Sequence, residues 1–171
     1  PQSIVDLVDA PTTPSVKFNA NGSLMLILQE PGYRPMSQVA QPIVGAAGVR
    51  VNPRNNSTEA ELAGVFIGLT LKDVKTGKTL PVTGLPTDMR MANMSWSADG
   101  KNLAFSNNTY TGVELWVLNI ETLSAKRLTQ GLLNDALGTT LQWNPNGQQI
   151  LAQFIVDNRG ELPIKNMIPT G

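Results

Sequence analysis

Three stretches of the chain share one rhythm: a short apolar–polar alternation that ends on an aromatic residue, then a polar turn closed by glycine. They are Val16-Lys17-Phe18-Asn19-Ala20-Asn21-Gly22, Met94-Ser95-Trp96-Ser97-Ala98-Asp99-Gly100 and Leu141-Gln142-Trp143-Asn144-Pro145-Asn146-Gly147. Alternation at period two predicts a strand, and Asn-Gly or Asp-Gly behind it predicts a hairpin. Glycine at the turn's end takes a positive φ without a Cβ clash. A second apolar run follows each turn, at about Leu24–Leu28, Asn102–Ser106 and Gln149–Ile155.

A second match completes the unit. Leu71-Lys72-Asp73-Val74-Lys75-Thr76-Gly77-Lys78 parallels Val117-Leu118-Asn119-Ile120-Glu121-Thr122-Leu123-Ser124, and Leu80-Pro81-Val82-Thr83 parallels Lys126-Arg127-Leu128-Thr129. The repeat therefore has four strands, which in the middle copy fall at about Met94–Ser97, Asn102–Ser106, Glu114–Asn119 and Ala125–Thr129. Phe18 and Trp96 lie 78 residues apart, but Asp73 and Asn119 only 46, so copy one holds 32 extra residues between its second and third strands. Trp96 and Trp143 are 47 apart. A four-stranded unit of roughly 40–50 residues is the spacing of a β-propeller blade.

The expected fold is all-β: a partial β-propeller of two four-stranded blades plus the start of a third, with a long loop insertion in the first blade. Across residues 1–171 the divisions are a lead-in at 1–14, blade 1 at 15–84 with its insertion at 31–62, blade 2 at 93–130, and the start of blade 3 at 140–171. A lone four-stranded sheet leaves its apolar faces wet, and stacking blades covers them. Phe18, Trp96 and Trp143 are expected to fill the space between neighbouring blades, rather than to form an aromatic platform for a ligand. Propellers use roughly four to eight blades, so two or three cannot close a ring. Open blade edges predict a longer parent chain or self-association.

Composition narrows the chemistry. The chain has 171 residues, 41% hydrophobic and 15% charged, with 13 basic and 13 acidic side chains mixed along it. Without a basic cluster, nucleic acid and anionic membrane surfaces are not expected partners. Cysteine and histidine are absent. That removes disulfides, thiol nucleophiles, and thiolate or histidine metal sites, and a Ser-His-Asp triad cannot be assembled from this chain. The nucleophile-elbow pattern G-x-S-x-G does not occur either. No catalytic residue, metal site or cofactor is expected. No run of eighteen apolar residues predicts a membrane helix. Pro1-Gln2-Ser3 lacks a signal-peptide pattern and reads as an internal boundary.

The 31–62 insertion is punctuated by Pro, Gly and polar residues, as suits a long excursion, and Met36 to Val44 can hold a helical turn. Its candidate site residue is Arg50, between Val49 and Val51. One reading makes Arg50 a substrate-binding group for a carboxylate; the other pairs it with Glu59 or Glu61. Asn107, Asn108 and Thr109 read as turn residues. Asn107-Asn108-Thr109 also fits a glycosylation sequon, and Asn55-Asn56-Ser57-Thr58 holds two more.

Five segments together resemble a known family. These are Ile4-Val5-Asp6-Leu7-Val8-Asp9-Ala10-Pro11 within Pro1 to Pro14, Ala46-Ala47-Gly48-Val49-Arg50-Val51, the Trp96 to Ser106 blade, Leu133-Asn134-Asp135-Ala136-Leu137-Gly138, and Ile168-Pro169-Thr170-Gly171. In this order they are similar to glutamyl endopeptidase-like members of the prolyl oligopeptidase family. The resemblance implies a parent serine peptidase of several hundred residues, whose C-terminal α/β-hydrolase domain carries the Ser, Asp and His. It gives the propeller the role of limiting access to the active site and shaping the cleft for a peptide substrate. It also implies a periplasmic or secreted location. The alternative is a stand-alone propeller-type protein-interaction module without enzymatic activity.

Overall fold

The computed structural model describes residues 1–46, 48–58, 64–136 and 140–161. A short helix, α1 (Gln2–Val8), precedes the hairpin of β1 (Ser15–Phe18) and β2 (Leu24–Gln29). The chain then leaves the sheet as α2 (Met36–Val39) and a small antiparallel sheet of β3 (Val44–Ala46), β4 (Val49–Asn52) and β5 (Ser57–Thr58). It returns as β6 (Gly68–Asp73) and β7 (Thr79–Leu80), which complete a four-stranded antiparallel sheet of order β1-β2-β6-β7. The second sheet joins β8 (Met91–Trp96), β9 (Asn102–Asn108), β10 (Val113–Asn119) and β11 (Ser124–Arg127) in the same succession, and β12 (Leu141–Trp143) with β13 (Ile150–Ala152) begins a third. The architecture is an all-β partial propeller, with no closed barrel among the described residues.

The three leading hairpins share one pattern of turn hydrogen bonds. Asn19, Ser97 and Asn144 each accept a backbone bond from the turn glycine, at 3.0, 2.9 and 2.8 Å, and each donates its own N–H to the start of the next strand. Asn21, Asp99 and Asn146 then accept the N–H two residues on, each at 3.0 Å. The glycines between these groups, Gly22, Gly100 and Gly147, have φ near +70° (70, 69 and 71°). A second turn recurs between strands three and four. Asp73 Oδ1 accepts the Thr76 N–H and hydroxyl, and Asn119 Oδ1 accepts the same pair from Thr122.

Side-chain alternation in β9 and β10 divides the core in two. Leu103, Phe105 and Leu118 join Leu24, Leu26, Leu28, Leu71 and Met91 between blades 1 and 2. Ala104, Val113, Leu115 and Val117 face Leu133 and Leu141 on the blade 3 side. The link between blades 1 and 2 runs beside β11: Thr83 donates to Leu123 O and accepts from Ala125 N, at 2.9 and 2.8 Å. Gly84 follows at φ +71°, and a Cβ there would stand 2.4 Å from Ala125 O.

Two expectations are corrected. Trp96 and Trp143 do pack at blade interfaces, and Trp143 Nε1 donates to Ser95 O at 2.9 Å. Phe18 does not: it is 54% exposed. Each aromatic shares a face with the residue directly opposite it, Leu103 for Trp96, Ile150 for Trp143 and Met25 for Phe18. In every blade that face looks toward the preceding blade, and blade 1 has none before it among the described residues. Asn107 and Asn108 are likewise not in a turn. They extend β9, paired with Glu114 and Val113, because the Asn107 side chain accepts the Arg90 N–H at 2.8 Å and holds the start of β8 alongside.

Candidate functional site

The insertion is not a free loop. A tight turn between β4 and β5 aims it at blades 2 and 3. Asn52 Oδ1 accepts the Arg54 N–H at 3.0 Å, and Asn55 Oδ1 accepts the Ser57 N–H and hydroxyl at 3.1 and 2.8 Å. Asn56 sits at φ 58°, a left-handed conformation that asparagine tolerates better than most residues. The remaining amide hydrogens of this turn reach outward. Asn55 Nδ2 donates to Thr109 O at 2.9 Å, and Asn56 Nδ2 donates to Asn134 Oδ1 at 2.8 Å. The Asp135 N–H donates to Asn56 O at 2.9 Å, bridging Ser57 and Asp135 in parallel. Arg159 closes over the same turn, donating to Pro53 O at 2.8 Å and to Asn56 Oδ1. Farther along the insertion, Ser37 and Tyr110 share a hydroxyl–hydroxyl bond of 3.0 Å.

Beneath the turn lies a buried polar network. The Asp135 carboxylate, 4% exposed, accepts from Asn93 Nδ2 at 3.0 Å to each oxygen and from the Thr140 hydroxyl. Asn93 Nδ2 also reaches the Ser106 hydroxyl at 3.1 Å. Asn93 can do so because β8 slips register between Ala92 and Ser95 and its φ is 45°; such bulges re-aim a side chain. Two residues beyond Ser106, and so on the same face of β9, the Asn108 amide is buried, and among the described residues neither of its polar atoms has a partner.

This arrangement can hold the insertion against two blades. Among the described residues no group of three or more metal-ligating side chains gathers. Arg50 lies on β4 opposite Gly45, exposed, and it is not an unpaired charge. Glu59 and Glu61, its sequence-suggested partners, fall outside the described residues. The three sequons are engaged in the fold: Asn55 and Asn107 are buried, and the side-chain amides of Asn55, Asn56 and Asn107 all donate to neighbours. Sequence reasoning quoted Asn134 and Asp135 only for their resemblance, and missed Asn93 and Arg159 entirely. Asn, Asp and Ser have no periodic signature that separates a buried network from a solvated loop.

No protein-family model matches the chain. Along its whole length it is 31% identical, over 180 residues, to a protein of Arabidopsis thaliana described as probable glutamyl endopeptidase, chloroplastic. It is 30% identical, over 181 residues, to a protein of the same description from Oryza sativa subsp. japonica. Each match covers 19% of the relative, so the chain spans about a fifth of the length of these proteins. A crystal structure of TolB from Acinetobacter baumannii is similar over 86% of this chain and 38% of its own, at 18% identity and a TM-score of 0.34.

Similarity to glutamyl endopeptidase-like proteins thus runs through the entire chain, which corresponds to one portion of longer relatives that are named as peptidases. Both relatives are named as chloroplastic, a compartment other than the periplasmic or secreted location that the family resemblance implied. No described helix is long and apolar enough to cross a membrane.

Proposed function

We propose that the chain is a non-catalytic propeller segment of a larger serine peptidase. It limits access to the substrate cleft of a C-terminal α/β-hydrolase domain and helps to shape it. That domain supplies the Ser, Asp and His, and the reaction is peptide-bond hydrolysis. The observation that carries this reading is similarity over the full chain to about a fifth of two proteins named glutamyl endopeptidase, in a sequence with no histidine of its own. The exposed face of Val16 and Phe18 supports it, since further blades of a parent protein would cover that surface.

Access control is tested in the full-length parent by loosening the insertion with a combined Asn55→Ala and Asn56→Ala change. Cleavage of a folded protein substrate should rise relative to cleavage of a short chromogenic peptide. An unchanged ratio would remove the gating role. A parent reading frame without a nucleophile elbow and a later histidine would remove the peptidase role altogether.

The same exposed apolar face also suits a stand-alone interaction module, in which other copies or partners cover it. Light scattering on the purified chain separates the two readings. Concentration-dependent assembly into closed rings favours the module, and a monomer at all concentrations counts against it.

A further inference from the structure

On the blade 1 side of the second sheet, a pocket of about 360 Å³ opens between the inter-blade link and the β9–β10 hairpin. Leu85, Pro86 and Asp88 of the link form one wall, with Arg90 just before β8. Tyr110 and Trp116 form the other, above Asn107 and Glu114. Glu114 is already engaged on both oxygens. Its Oε2 accepts from Asn107 Nδ2 at 3.1 Å and Trp116 Nε1 at 2.8 Å, and its Oε1 meets Arg127 Nη1 at 3.0 Å. That carboxylate therefore stiffens the floor and leaves little charge for a ligand.

Arg90 differs. It is half-buried, and its guanidinium lies over the Tyr110 ring at 5.7 Å. Among the described residues its side chain donates no hydrogen bond and meets no carboxylate within ion-pair distance. Its backbone is fixed all the same, with its N–H on Asn107 Oδ1 and its carbonyl accepting the Asn108 N–H at 2.9 Å. A stacked guanidinium with all its donors unused is preorganised for a planar anion, which it can grip with two parallel bonds. The apolar walls then suit the carbon skeleton attached to that anion.

We propose that this pocket is a binding site for a peptide carboxylate, either an acidic side chain or a chain end, with Arg90 as the gripping group. Asp88, exposed on the same wall, is the counterweight: it repels a second negative charge and so favours a singly charged ligand. Phosphate, with more charge and no apolar body, fits less well. The site stands on the pocket alone and does not rest on the peptidase reading.

The test is an NMR titration of the isotope-labelled chain, following the Trp116 indole N–H. The probes are N-acetyl-glutamate α-amide, N-acetyl-leucine as a free acid, and N-acetyl-glutamine amide as the uncharged control. Both acids should bind at about millimolar affinity, and the control about tenfold more weakly. If only one acid binds, it identifies the source of the carboxylate. Arg90→Gln should weaken the acids by about tenfold, Arg90→Lys by less, and Asp88→Asn should tighten them by roughly two- to threefold. Equal shifts from acid and amide, or acid binding unchanged in both Arg90 variants, would overturn the assignment. The Arg90→Lys variant keeps the charge and decides the matter if Arg90→Gln loses its dispersed spectrum. Failure here leaves the peptidase reading intact, because the probes report binding and not cleavage.

Discussion

Blade 1 and blade 2 have the same four strands, the same two turns and nearly the same hydrogen bonds, yet they bury different amounts of themselves. Blade 2 is covered on both faces. Leu103 and Phe105 pack toward blade 1, and Ala104, Leu115 and Val117 toward blade 3. Blade 1 is covered on one face, while Val16 and Phe18 on the other are about half exposed, at 49% and 54%. Local sequence makes a blade; position in the stack decides whether its aromatic residue is core or surface. The insertion adds a second asymmetry, since blade 1 sends it across to blades 2 and 3.

The largest test of this contrast swaps one phenylalanine at a time. Phe105→Ala should destabilise the chain by about 3–5 kcal/mol, because it empties a fully buried site. Phe18→Ala should change stability by less than about 0.5 kcal/mol, as surface substitutions do. Urea denaturation reads both, and equal losses would mean that Phe18 is covered in solution.

The seam between the blades comes next. Gly84→Ala forces a Cβ against Ala125 O at a positive φ, and it should cost about 2–4 kcal/mol in the same assay. A neutral result would show that the Thr83–Ala125 pairing does not fasten the two sheets.

Asn108→Val works in the opposite direction. It removes a buried amide that has no partner among the described residues and places a β-branched residue in a strand, so the urea midpoint should rise by an amount equivalent to about 1 kcal/mol. A drop would mean that the amide has a partner in solution and that the network under the insertion extends through Asn108.

The smallest effect concerns acid. In the first hairpin, blade 2 carries Asp99 where blade 1 carries Asn21; in the second turn, blade 1 carries Asp73 where blade 2 carries Asn119. The Ser97 hydroxyl, and then the Lys101 N–H, hold the Asp99 carboxyl below its ordinary 3.8. The Thr76 hydroxyl and N–H do the same for Asp73. A carboxyl depressed in the folded state contributes stability above its ordinary pKa, and that contribution is lost as pH falls through the folded value. Melting temperature should therefore fall less steeply below pH about 4 in Asp99→Asn than in the parent chain. An unchanged slope would mean that the hairpin bond is not kept in solution.

The divide between what could and could not be foreseen follows contact distance. The repeat, the hairpins at Gly22, Gly100 and Gly147, and the alternation of the strand that leads each unit were legible from the chain. A turn is fixed by residues a few positions apart, and a strand's buried face shows as period two. The small sheet of the insertion was not legible, although the expected helical turn is present at Met36–Val39. Nor was the bond from Asn56 to Asn134, because an asparagine far from its partner looks like any loop asparagine. Arg50 stood out in the sequence and Arg90 did not. Only packing shows which arginine is stacked on a ring with unused donors.

By itself, then, the sequence determined a repeating four-strand unit, the turns that close it, and the lack of any histidine for a triad. Tertiary structure alone decided which faces are covered, where the insertion lands, and which charged group is left open in a pocket. The reason is physical. Backbone preference and turn chemistry act within a few residues, whereas burial and charge pairing depend on what the folded chain brings together across space.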